Sequence, residues 1–154
     1  MDGRRTLKFL RLDEVMPEVD RLMAGHRTLA NWSLGQICNH LTDTFRFSIE
    51  GFPVRAPWLV RKLVGPVARR LVLSRGKMPD GIKLPEKFAP QPGLDARAEA
   101  EALRAAIRIF GAHTGPHSQH PFFGRMTAED WGRLHCIHCA HHLGFVVPDP
   151  ASRN

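Results

Sequence analysis

Residues 127–148 read Thr127-Ala-Glu129-Asp130-Trp131-Gly-Arg-Leu134-His135-Cys136-Ile137-His138-Cys139-Ala-His141-His142-Leu143-Gly144-Phe145-Val-Val-Pro148. Thr127 offers a side-chain oxygen to the free amides of a helix start, and Glu129 and Asp130 suit the positive end of its dipole. Trp131, Leu134, Ile137, His138, His141 and Phe145 then recur at helical spacing, and Pro148 is the expected stop. His138 and His142 are four apart, so on a helix one imidazole lies above the other, about 5–6 Å between Cβ atoms. Trp131, Leu134 and Phe145 share that face, which turns it toward a core.

Three further helical stretches precede this one. Asp13 to about Gly25 carries Val15, Val19, Leu22 and Met23 on one side, with Pro17 near its start. Asn31-Trp32-Ser33-Leu34-Gly-Gln36 opens the next, Ser33 and Gln36 having the capping-box spacing, and Leu34, Ile37, Leu41, Thr44, Phe45 and Phe47 continue it to about Gly51. Ala96 to Ala112 is rich in strong helix formers. Trp58 to Leu73 reads as an additional amphipathic helix, broken or kinked at Gly65-Pro66. Segments 74–93 and 113–125 read as long irregular connections, and strand signals are weak throughout. The economical architecture is an all-α four-helix bundle with one long crossover.

The 154 residues suit one domain over 1–154, with 43% apolar and 24% charged residues, as in globular proteins. The N-terminal sequence lacks a signal-peptide pattern, and no apolar run is long enough for a membrane span. Three cysteines do not make a disulfide framework, so a cytoplasmic protein is expected. The net charge of +7 arises between Arg55 and Lys87, where nine Arg/Lys meet two acids. Arg61, Lys62, Arg69 and Arg70 are the candidate anion-binding residues of this patch, although a solvated face is the simpler reading. No reading helix or aromatic platform for specific nucleic-acid binding accompanies them.

Two imidazoles on one helix need a third ligand from elsewhere. His40 lies mid-helix among Ile37, Leu41 and Thr44 and is the best candidate for a site in a bundle core. A lone interior histidine is more often a hydrogen-bonded core residue; the i,i+4 pair is what raises His40 above that reading. Three imidazoles around one ion leave a coordination position open, as catalytic rather than structural zinc sites do.

Trp32-Ser33-Leu-Gly-Gln-Ile-Cys-Asn-His40-Leu and His138-Cys-Ala-His141-His142-Leu-Gly144 resemble the two signature segments of the DinB/YfiT-like superfamily. His120-Pro-Phe-Phe-Gly-Arg-Met-Thr-Ala-Glu-Asp-Trp131 resembles an uncharacterised bacterial branch of it, and the similarity runs from Arg5 to about Phe145. The resemblance implies an up-down-down-up four-helix bundle with a three-histidine site. By position its ligands are His40, His138 and His142, holding zinc or nickel, with iron or manganese as alternatives. Some relatives are transferases or isomerases that use low-molecular-weight thiols. Cys139 and Leu143 depart from the acidic residue and arginine frequent at those positions.

Neighbours of the site have roles of their own to be tested. His135 and His141 flank the pair on the helix and are expected to orient ligands or line an entrance. Asp43, three residues beyond His40, can accept a hydrogen bond from a ligand ring, although a helix-surface carboxylate is the simpler reading. Cys139 follows His138, where the zincin pattern requires a glutamate general base, so a metalloprotease of that kind is disfavoured. Cys136-x-x-Cys139 reads as two buried thiols rather than a redox pair, though Cys139 would become reactive if nearby charge stabilised its thiolate. His113, His117 and His120 are expected to be exposed on a loop that can fold over the metal.

The function expected is that of a metal-dependent enzyme, either a thiol-dependent transferase or a hydrolase acting on a small molecule. A non-catalytic metal-binding or stress-response protein is the alternative, and a basic-surface polyanion binder the third. A homodimer is the self-association considered.

Overall fold

The computed structural model describes residues 3–79 and 89–149, and within them the chain is mostly helical. A 3-10 turn, Leu12–Glu14, leads into α1 (Val15–Met23); β1 (His26–Thr28) and α2 (Leu34–Glu50) follow. A π-helical stretch, Val60–Val64, runs into α3 (Gly65–Arg75); then come α4 (Ala96–Ala112), α5 (Ala128–Leu143) and β2 (Val146–Pro148). The sequence-predicted kink at Gly65-Pro66 thus takes the form of a wide turn immediately before it. Of the predicted connection 74–93, residues 80–88 lie outside the described residues, and Ser74 and Arg75 still belong to α3.

Local chemistry accounts for the helix starts. Ser33 accepts from the Gln36 amide while Gln36 Oε1 accepts from the Ser33 amide, closing the capping box at α2. Thr127 and Asp95 cap α5 and α4 in the same manner, each accepting from an amide three residues on. Along α2, Leu34, Ile37, Cys38, Leu41 and Phe45 are buried at i, i+3, i+4, i+7 and i+11, one helical face. That face packs most extensively on α4 and also meets α5. α5 is buried on more than one side by Trp131, Leu134, His135, Cys136, Cys139 and Leu143, and it contacts α1, α2 and α3.

The end of α5 differs from the sequence expectation. The helix stops at Leu143, and Val146–Pro148 leaves it as β2, antiparallel to β1 with Thr28 opposite Val146 and His26 opposite Pro148. Three-residue strands are too short to show alternation, and so they left no readable strand signal. Gly144 marks the stop because the N-terminal segment crosses it. The Arg5 amide donates to the Gly144 carbonyl at 2.9 Å, and a Cβ on Gly144 would stand 2.8 Å from the Arg5 carbonyl oxygen. Arg5 also donates to the carbonyls of Val146 and Leu143 and pairs with Glu18 of α1 at 2.6 Å. One side chain therefore holds the last turn of α5, β2 and α1 together. No helix among the described residues is long and apolar enough to cross a membrane.

Two glycines test whether sterics or helix propensity governs these helices. A Cβ at Gly65 would collide with the Phe122 carbonyl oxygen, whereas one at Gly132 meets nothing within 4 Å. Gly65→Ala should destabilise by ~1–3 kcal/mol despite the better propensity of alanine. Gly132→Ala should stabilise by ~0.5–1 kcal/mol. Urea unfolding midpoints of the two variants check both signs.

Candidate metal centre

His40 projects from the middle of α2, and His138 and His142 project from the last two turns of α5. All three are half-buried. His138 Nε2 lies 3.2 Å from His40 Nε2 and 2.9 Å from His142 Nε2. Counting one nitrogen from each ring, the three ligand atoms lie within 4.8 Å of one another. Two nitrogens bound to one tetrahedral ion at about 2.0–2.1 Å would stand about 3.3 Å apart, so the spacing needs little adjustment. Hydrogen bonding among the rings alone does not satisfy the cluster. One ring nitrogen offers either a hydrogen or a lone pair, whereas His138 Nε2 faces two nitrogens. A cation that takes a lone pair from each ring satisfies all three at once.

The environment favours the lone-pair form. Burial, then the charge of His141, lowers the His40 pKa to about 4. Burial, then His40, His141 and Arg4, lowers that of His142 to about 2. His138 is held well below the usual histidine range by burial and by the rings of His142 and His40. Near neutral pH the three rings are uncharged, as metal ligands must be.

One family profile matches residues 1–149, a span that includes every described helix and all three histidines. The chain belongs to the DUF1569 family, proteins of unknown function. No curated protein and no solved structure matches it.

In this DUF1569 chain two residues that the sequence reading passed over stand beside the cluster. Trp32 stacks on His142 with ring centroids 5.7 Å apart and an interplanar angle of 11°, and it tilts against His40 at 5.1 Å. Its position follows from the capping box, because Ser33 fixes the chain entering α2. The Trp32-Ser33 start was the available signal. Arg4 approaches from the other end of the sequence, donating to His141 Nδ1 at 2.9 Å and lying 4.1 Å over the Phe145 ring. Nothing in the local sequence marks a contact across 137 positions.

The remaining predicted neighbours divide. His141 is edge-on to His142 at 5.0 Å, so it does flank the cluster. His135 turns away from it: the ring is buried, stacks on Phe45 at 3.9 Å and pairs with Ser48 Oγ at 3.2 Å. Asp43 pairs with Arg46 at 2.8 Å rather than with an imidazole. Cys139 is fully buried and burial pushes its thiol far up, so it is a small core residue without thiolate character. Burial likewise raises Cys38 to about 12 and Cys136 to about 11.

The loop histidines are half-buried rather than exposed, and they pack on aromatic rings instead of covering the cluster. His120 stacks on Phe123 at 4.3 Å and touches Phe52 and Trp131, and His117 lies against Phe110. In the basic segment, Arg61 donates to the Ala56 carbonyl and Gln119 Oε1, and Arg69 to the Arg125 carbonyl. Lys62 and Arg70 are exposed. A concavity of about 610 Å³ among the described residues is lined by His141 but by none of the three converging histidines. Donor geometry, not cavity size, marks the site.

His135 and His120 predict an acid response. Burial lowers their pKa values to about 3 and about 4, against about 6.5 in the unfolded chain. Between those limits the unfolded state binds more protons, so stability falls as pH drops below about 6.5. Each such group contributes a slope of about 1.4 kcal/mol per pH unit. Urea titrations of metal-free protein from pH 7 to 5 should show that loss, and His135→Phe should flatten the slope by roughly one proton.

Proposed function

We propose that this chain is a metal-dependent enzyme of the DinB/YfiT-like kind, with His40, His138 and His142 holding one divalent ion, zinc or nickel before iron or manganese. In this reading α1, α2, α4 and α5 form an up-down-down-up four-helix bundle, and α3 with its π-helical lead-in is an addition to it. The observation that carries the proposal is the convergence of three Nε2-bearing rings from two helices 98 positions apart in sequence.

An open, catalytic site suits the donor set better than a closed structural one. Structural zinc is closed by four protein ligands, and among the described residues no fourth His, Cys, Asp or Glu joins the three. When bound, such an ion polarises a substrate oxygen or lowers the pKa of a thiol or water. The chain's own residues set the surroundings. Trp32 offers an apolar ring beside His40 and His142, against which the uncharged part of a small substrate can lie. Arg4, held by His141 and Phe145, adds positive charge on the His142 side and favours an anionic group there.

The three cysteines are buried with raised pKa values, so the protein supplies no thiolate of its own. A thiol-dependent group transfer would therefore draw its thiol from a low-molecular-weight cosubstrate, and metal-assisted hydrolysis would need none.

Elemental analysis of protein purified without a histidine tag or nickel resin should find ~1 ion per chain, and His40→Ala should lower it about tenfold or more. Full metal content in that variant would remove the proposed ligand set. Apo and metal-loaded protein, compared on thiol cosubstrates and on simple esters or amides, should show activity with the loaded form alone.

A further inference from the structure

Residues 51–79 carry seven Arg/Lys and no acid. Their helical part is clamped to the body along one side. Val72 and Leu73 are buried, Gly65 lies under Phe122 and Phe123, Arg61 bonds to Gln119, and Arg69 stands 3.8 Å from Asp130. The opposite side has no partner among the described residues. Leu59, Leu63, Val67 and Leu71 recur every fourth position and are 52%, 64%, 69% and 46% exposed, with Trp58 at 61% and Val64 at 51% beside them. Arg55, Lys62, Arg70, Arg75 and Lys77 are exposed along the same segment.

We infer that this ridge docks the protein on an anionic phospholipid surface, its leucines and valines entering the acyl boundary and its exposed cations meeting the headgroups. An apolar ridge with a tryptophan and flanking Lys/Arg, fixed in orientation from behind, is the pattern of an interfacial helix lying in the membrane plane. Electrostatic attraction to the anionic leaflet adds to apolar burial.

Two other occupants fit less well. A second copy packed ridge to ridge would set five exposed cations against five with no acid in either segment. A nucleic acid would use the cations but has no use for four exposed aliphatic side chains in a row, since its backbone is met by charged and polar groups.

The test is co-sedimentation of the full chain with vesicles of phosphatidylcholine alone or with phosphatidylserine at a 7:3 ratio. Binding should be at least about tenfold stronger with phosphatidylserine and should weaken as salt rises. Leu63→Glu/Val67→Glu should reduce it about tenfold or more with an unchanged far-UV spectrum. Should that pair misfold, Lys62→Glu/Arg70→Glu must give the same loss. Trp58 emission should shift to the blue on anionic vesicles, a shift absent from Trp58→Phe. Equal binding to both vesicles, or none, overturns the inference. So does a lipid-free dimer that Leu63→Glu/Val67→Glu dissolves, or duplex binding stronger than vesicle binding that Lys62→Glu/Arg70→Glu abolishes and Leu63→Glu/Val67→Glu leaves intact.

Discussion

Three uncharged imidazoles held with their Nε2 atoms turned toward one another are the arrangement to which the rest of this structure answers. Left to themselves, rings on His40, His138 and His142 would prefer water, because each loses hydration when packed and no two protonation states satisfy all three. The fold supplies the constraint. α2 and α5 meet through buried apolar side chains, so the two histidine-bearing faces cannot separate without exposing core. Arg5 fastens the last turn of α5 to α1 and to the chain beyond, which fixes where His142 stands. The capping box fixes the start of α2 and with it Trp32, the ring that packs on two of the three.

The nine histidines do different work according to the company each keeps. His135 and His120 behave as aromatic core residues: each stacks on a phenylalanine, and burial keeps each neutral. His141 sits between the cluster and Arg4, edge-on to His142 and accepting from the Arg4 guanidinium through Nδ1. His40, His138 and His142 face one another across the helix pair, and no placement of hydrogens among their Nε2 atoms satisfies all three. Crowding of histidines in sequence therefore says less than the direction each takes from its helix.

Much of this was readable from the chain. The i,i+4 spacing of His138 and His142 places both on one helix face, and the apolar period around His40 places it inward on another; Ser33 with Gln36 fixes the start of α2. Those signals are local or strictly periodic. What escaped reading depends on contacts between distant segments. β1 and β2 are too short to alternate and exist because the ends of the chain come together. Arg4 and Arg5 act across more than 130 positions. His135 was read as a neighbour of the metal because it lies one turn from His138, but the aromatic box of Phe45, Phe110 and Trp131 draws its ring elsewhere. Asp43 found a cation on its own helix, Arg46, before it could reach an imidazole.

X-ray absorption at the metal edge of zinc-loaded protein addresses the cluster most directly, because it reads the donor atoms and their distances without reference to activity. The account predicts three imidazole nitrogens at about 2.0–2.1 Å with one lighter donor completing the shell. Sulfur scattering near 2.3 Å, which would bring in Cys38, Cys136 or Cys139, or a shell with fewer than three imidazoles, would contradict it.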